Sequence, residues 1–377
     1  MARLALLALG VQPTSLWAAE AKDQTAAYWL VRPAQTEPKL LAWAKQYPTQ
    51  VALEPQKTLG GHTAYAVTVT NRSLPDGPKR KLLVAQPHAH EPATTAGMMN
   101  VLAQLLDGVD LLGRPTTLDR RRILDQTVLT FIPDGNPDGR AKAPADWWDG
   151  SQYSNQEFLD FVFGREADGR RAKRVGRWSA REHQPALIGF VYEKINDHEY
   201  VEPNRDREST YFKLILRMRE RYEYDLLLDL HQTEFERSPY NAMILLPFMQ
   251  KQLPEPIQDR NVRWGRAIIE AWRALGEKPM PDPVPLGYGE DQIQYFRKCW
   301  GEIYQRTPCL GVEVQTNSPR TPPRAQMALI EASIRASIDR LLEGREEEKR
   351  GRSEEEERRS REGGTSRGRT EGTHHAS

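Results

Sequence analysis

The stretch KLLVAQPHAHEPATTAGMMNVLAQLLDG, residues 81–108, carries the pattern from which the fold is read. Its first part, KLLVAQ, is a short apolar run fit for a buried strand, and its last part repeats Met98, Met99, Leu102, Leu105 and Leu106 at helical spacing. Between them stand His88, His90 and Glu91, in a chain with eight histidines in all. Taken alone, the group reads first as a polar turn, with a pair of metal ligands as the alternative. A strand that runs through a polar turn into a helix is the unit from which α/β sheets are built.

The same unit recurs along the chain. TVLTFIP (127–133), DLLLDLH (225–231), NAMILLP (241–247) and CLGVEVQ (309–315) read as strands, and STYFKLILRMRERY (209–222) and RAQMALIEASIRASIDRLLE (324–343) as helices. Near-continuous apolar strands between helices predict a mixed, mostly parallel, twisted α/β sheet with helices on both faces. A single α/β domain over residues 25–343 is expected. The stretch from Ala141 to Tyr200, with its tryptophans, glycines and the basic run GRRAKRVGRW, breaks the rhythm and reads as a long surface excursion that shapes a site.

Composition narrows the function classes. With 377 residues and 38% hydrophobic side chains the chain can bury a large core, and 53 Lys and Arg against 52 Asp and Glu give a formal charge of +1. Nothing global argues for a nucleic-acid partner, and no later segment is apolar enough for a membrane span. Residues 1–21, MARLALLALGVQPTSLWAAEA, have the layout of a signal peptide, so a secreted or periplasmic protein is expected. Residues 344–377 have almost no apolar side chains and read as a disordered charged tail. Cys299 and Cys309 are open to two readings, one disulfide or two buried thiols.

Polar residues at strand ends suggest chemistry. His88 and Glu91 follow one strand and His231 ends another, and ligands of open α/β sheets bind beyond the carboxyl ends of strands. Two imidazoles and a carboxylate are the kind of set that catalytic zinc uses. His90 is the rival of His88, and His231 by itself reads also as a histidine bonded at the core edge. Glu313 sits inside an apolar strand pattern, where a carboxylate needs a partner or a function.

The ordered set PHAHE (87–91), NPDGR (136–140), PNRDR (203–207), LDLH (228–231) and GVEVQ (311–315) resembles the zinc carboxypeptidases, the carboxypeptidase A-like metallopeptidases, in their bacterial-type branch. The segment 40–71 resembles that family's opening helix, turn and strand. The resemblance implies one zinc ion per chain on His88, Glu91 and His231. It implies Asn204 and Arg205 as holders of a substrate carboxylate, Glu313 as the general base that activates water, and Tyr288 as a substrate-facing tyrosine, with Tyr295 and Tyr304 as rivals. The family's further arginine, which polarises the scissile carbonyl, falls among Arg165, Arg170, Arg171, Arg174, Arg177 and Arg181, of which Arg177, before Trp178, is selected. The implied partner is a peptide with a free carboxylate. DLHQTE also resembles deacylases related to aspartoacylase, which leaves an acylated amino acid as a second substrate class and a carboxylate-binding module without catalysis as a third reading.

Overall fold

The computed structural model describes residues 25–365, with side chains described for 27–344. The expected signal peptide, residues 1–21, lies outside the described residues. Helix α1 (Pro33–Gln46) precedes the hairpin β1 (Val51–Lys57) and β2 (Thr63–Val69); β3 (Arg80–Ala85) leads into α2 (Pro92–Leu106), followed by β4 (Thr127–Ile132). After the excursion come α3 (Thr210–Arg221), β5 (Leu226–Thr233), β6 (Ala242–Leu246), α4 (Glu255–Ala274), β7 (Val284–Pro285), α5 (Glu290–Arg306), β8 (Cys309–Gln315) and α6 (Pro323–Thr365).

The eight strands form one sheet in the order β1-β2-β4-β3-β5-β8-β6-β7. Its centre, β4-β3-β5-β8, is parallel, while the hairpin edge and β6 run antiparallel to their inner neighbours. Side-chain alternation divides the core into two layers. Leu82, Val84, Leu228, Leu230, Val312 and Val314 face α1, α2, α4 and α6. Leu83, Ala85, Leu227 and Cys309 face α3 and α5. Both faces are thus covered, which is why these strands read as continuous apolar runs.

Helix α2 is buried along its whole length. It lies so close to α6 that a Cβ on Gly97 would stand 2.5 Å from Ile330 Cγ2, so glycine is required by the approach of the two helices. The start of α2 is held by neutral amides: Ala93 N–H donates to Gln232 Oε1 at 2.8 Å, Gln232 Nε2 to Gln326 Oε1 at 2.8 Å, and Gln326 Nε2 to Trp148 O at 2.9 Å. This relay satisfies a backbone donor that a helix N-terminus leaves open.

Two expectations change here. The tail expected to be disordered from Gly344 begins as a continuation of α6, helical to Thr365, as Glu-rich and Arg-rich sequence of good helix propensity allows; residues 366–377 lie outside the described residues. Helices α4 and α5 were not read from sequence, although Trp264, Ile268, Ile269 and Trp272 in α4 carry the 3.6-residue spacing and are buried. Cys299 and Cys309 are free, buried thiols. No helix among the described residues is long and apolar enough to cross a membrane.

The excursion carries the helix Asn155–Phe163, a two-strand pair (Gly164–Arg165 with Leu187–Ile188) and a three-strand sheet (Arg177–Ser179, Glu193–Lys194, Glu199–Val201). Its own apolar cluster of Trp148, Phe158, Val162, Phe190 and Val191 includes Ala89 from the histidine turn, so it packs directly on that turn. Beneath it, Arg140 is buried and donates to Ala89 O at 2.9 Å. Asp138 accepts from Thr58 Oγ1, from Gly60 N–H and from the His62 ring, and so ties the β1–β2 loop to the segment after β4.

In that segment Asp134 is buried with no hydrogen-bond partner for Oδ2 among the described residues, and burial raises its pKa to about 7. A carboxyl with a higher pKa folded than unfolded stabilises the fold fully below its unfolded value, 3.8, and that contribution is lost as pH rises through about 7. Asp134→Asn should therefore remove a downward slope in melting temperature between about pH 4 and 7 and gain roughly 2 °C at pH 8. Parallel melting curves across that range would contradict a buried, protonated Asp134.

Candidate metal centre and active site

The turn 86–91 gathers two ligand types because it is tight. Glu91 N–H donates to His88 O at 3.1 Å, and Pro92 at the first position of α2 starts the helix at once. His231 comes from the C-terminal part of β5. The parallel register of β5 with β8 sets His231 opposite Glu313, on the face that also carries Leu227 and Asp229.

Three donor atoms converge. His88 Nδ1 lies 2.9 Å from Glu91 Oε1, His231 Nδ1 lies 3.2 Å from Glu91 Oε2, and the two Nδ1 atoms are 3.1 Å apart. The ligand atoms all fall within 4.8 Å of one another, and the three side chains are buried. The far nitrogen of each ring faces a carboxylate: His88 Nε2 faces Glu202, and His231 Nε2 lies 2.8 Å from Asp229 Oδ2. With Nε2–H donated to those carboxylates, both Nδ1 atoms turn lone pairs towards each other and towards Glu91. Three acceptors around one point call for a cation, and two imidazoles with one carboxylate fit zinc with a coordination position left open.

The charges follow this geometry. Burial raises the Glu91 pKa, but His88, His231 and His90 outweigh it and hold the carboxylate below its usual range. Burial lowers that of His231, yet Asp229 and Glu91 lift it well above the ordinary value, so without a metal the ring keeps a proton that a metal would displace. His90 is stacked on His88 with ring centroids 5.0 Å apart and meets the edges of Phe158 and Phe190; burial holds its pKa well down. It stands behind the metal group, as a wall.

Glu313 has one oxygen, Oε2, with no hydrogen-bond partner among the described residues, and burial pushes its pKa up to about 8. A cation at the His–Glu–His group would draw it down again. Asn204 Oδ1 accepts from Trp300 Nε1 at 2.8 Å, while its amide nitrogen lies 3.4 Å from Asp229 Oδ2. Arg205 is buried, its Nη1 2.8 Å from Glu202 Oε2 and its guanidinium over the rings of Tyr288 and Phe296 at 5.5 and 5.1 Å. Tyr288, 41% exposed, stands at the mouth of the same cavity. Of its rivals, Tyr304 also lines the cavity but is buried against Trp300, and Tyr295 packs on Gly176.

One assignment is corrected. Arg177 belongs to the three-strand sheet of the excursion and turns outward to Glu199, at 3.1 Å, and Asp206, at 3.6 Å. Of the six candidates, the arginine that lines the cavity is Arg174, whose Nη2 lies 2.8 Å from Glu202 Oε1 and 3.1 Å from His88 Nε2. Six arginines in a stretch without regular spacing gave no sequence signal to separate them. Glu202 and Asp229 were also missed, although each sits two positions before a motif residue, Asn204 and His231.

A family model described as zinc carboxypeptidase matches residues 38–264. The chain belongs to the zinc carboxypeptidase family. The match spans the metal group, Asn204 and Arg205, and ends before Tyr288 and Glu313, so the last two are placed by the sheet register and the cavity. Two solved structures, with TM-scores above 0.5, show the same fold. Carboxypeptidase A from Helicoverpa armigera is 15% identical, with a TM-score of 0.51 over 82% of this chain and 73% of that one. Thrombin-activatable fibrinolysis inhibitor is 11% identical, with a TM-score of 0.53 over 85% and 76%. A metallo-carboxypeptidase from Burkholderia cenocepacia is 17% identical, with a TM-score of 0.48 over 81% and 68%. A search of the curated proteins gives no match.

The carboxylate behind His231 is open to a direct test. Tyr211 O–H donates to Asp229 Oδ1 at 2.6 Å, which fixes the carboxylate that fixes the ring. Asp229→Asn should weaken zinc binding about 10- to 100-fold in a chelator competition titration, and His231→Ala should abolish stoichiometric binding. Unchanged affinity in Asp229→Asn would remove its orienting role.

Proposed function

We propose that the protein is a zinc-dependent carboxypeptidase that hydrolyses the last peptide bond of chains ending in a free carboxylate. The observation that carries this reading is the in-register pair of His231 and Glu313, which puts an unpartnered carboxylate oxygen beside the metal-ligating group. His88, Glu91 and His231 hold the ion. When bound, zinc supplies positive charge that polarises the scissile carbonyl and acidifies the attacking water. Glu313 takes the proton from that water and returns it to the leaving amine. Arg205 and Asn204 hold the terminal carboxylate, for which a guanidinium fork has matching geometry. Arg174 places its charge near the oxygen that becomes negative.

The cavity also supports a terminal-residue preference. Leu227, Leu245, Leu246, Leu286, Phe296 and Tyr304 line it. Of the carboxylates beside them, Asp229 has both oxygens engaged by Tyr211 and His231, and Glu234 accepts from Thr233 Oγ1 at 3.1 Å. The leucines and rings are the larger part of that wall, so an aliphatic or aromatic terminal residue fits.

Two measurements test these statements. Glu313→Gln should lower kcat by about 100- to 10,000-fold while zinc content stays unchanged, and an active variant would end its role as base. A panel of peptides ending in Phe, Leu, Lys or Asp, each as acid and amide, should show hydrolysis of the acids alone, with Phe and Leu favoured by roughly 100-fold. Equal hydrolysis of acids and amides would replace a carboxypeptidase with a deacylase-type hydrolase.

A further inference from the structure

Gln292 lies in the first turn of α5, just past Tyr288 and Gly289. Its two amide atoms are used on two different arginines. Oε1 accepts from Arg205 Nε at 2.9 Å, and Nε2 donates to the backbone oxygen of Arg174 at 3.0 Å. Nε2 also lies 3.2 Å from Asp291 Oδ2, which closes the turn around the amide. Among the side chains that touch Arg205, Gln292 takes Nε, Glu202 faces Nη1, and the rings of Tyr288 and Phe296 take the plane.

We propose that Gln292 is a positioning residue: it fixes the guanidinium plane of Arg205, so that this arginine faces a substrate carboxylate in a set orientation, and it ties that arginine to the backbone that carries Arg174. This rests on the reading of Arg205 as the carboxylate holder. A guanidinium matches a carboxylate bidentately only in one plane, and a long side chain left free to rotate loses that match to rotamer entropy. A site held within a fraction of an ångström needs a second layer of hydrogen bonds for this reason. An amide is suited to the place because it accepts and donates at once. A carboxylate would hold Arg205 but could not donate to the Arg174 carbonyl, and a thioether would do neither. The residue also links three segments: the excursion through Arg174, the Asn204–Arg205 turn, and the segment that bears Tyr288.

The test measures carboxylate binding apart from turnover. N-acetylphenylalanine and its amide are titrated calorimetrically into the zinc-loaded full-length chain, and KM and kcat are measured on a peptide ending in Phe. Gln292→Met keeps the volume and removes both hydrogen bonds. It should weaken binding of the acid about tenfold and leave the amide unchanged, with KM raised and kcat altered far less. Zinc content and melting temperature should match the wild type. Gln292→Ala should show the same loss. An acid affinity in Gln292→Met equal to the wild type overturns the proposal, and if Gln292→Ala alone is weakened the role is packing. A fall in melting temperature and kcat together also overturns it. A wild-type protein that prefers the acid, loses that preference in Gln292→Met and yet cleaves no peptide supports the positioning role and ends the catalytic reading. A wild type that cleaves peptides but binds acid and amide alike ends the positioning role.

Discussion

Strand β5 lies between β3 and β8 with parallel partners on both sides, and the arrangement of the site depends on that pairing. Parallel strands bring like ends together. The turn after β3 therefore opens at the same edge where β5 ends, and Glu313 of β8 stands level with His231. A slip of one residue in the β5–β8 ladder would send Glu313 to the opposite face of the sheet, because side chains alternate. The apolar residues prevent this slip: Leu228, Leu230, Val312 and Val314 fill one layer, and Leu227 and Cys309 the other. The same packing that stabilises the sheet sets the position of a reactive carboxylate.

Charge is then concentrated in a place where water is scarce. Glu202 is buried, and burial alone would raise its pKa, but Arg205, Arg174 and His88 hold it well below the usual carboxylate range. A buried ion left without partners costs several kcal/mol, about 3–5 when one member of a pair is removed, so these four side chains have to be understood together. Glu202 balances two arginines and orients a metal ligand with the same carboxylate. The balance also limits the free positive charge in the cavity. Arg205 and Arg174 are partly neutralised before any substrate arrives, which favours an exchange of partners over the filling of an empty cationic hole.

The strands were legible because their two-sided burial leaves uninterrupted apolar runs, and CLGVEVQ matches β8 from Cys309 to Gln315. The His88, Glu91 and His231 cluster was legible because two of its members share one turn and the third follows LLLDL. Orientation was not legible. Whether an arginine in the excursion points inward depends on short strand pairs such as Arg177–Ser179 with Glu199–Val201, which leave little periodic signal. Arg177 and Arg174 differ by three positions, and only the surrounding backbone decides that one meets Glu199 and the other Glu202. Supporting residues such as Gln292 escape sequence reading for a similar reason, since a lone glutamine in a polar helix start has no pattern to mark it.

The amide relay from Ala93 through Gln232 and Gln326 to Trp148 gives the turn that bears His88 and Glu91 a scaffold without formal charge. Dissolved ions screen interactions between charges, and protons alter groups that titrate; hydrogen bonds between buried amides respond to neither. On this side, the position of the turn therefore depends on no charge that salt can screen or acid can remove. The opposite side rests on charged groups, Arg140 on Ala89 O and Glu202 on the His88 ring, both of them buried. The start of α2 is thus anchored apart from the charges gathered around Glu202.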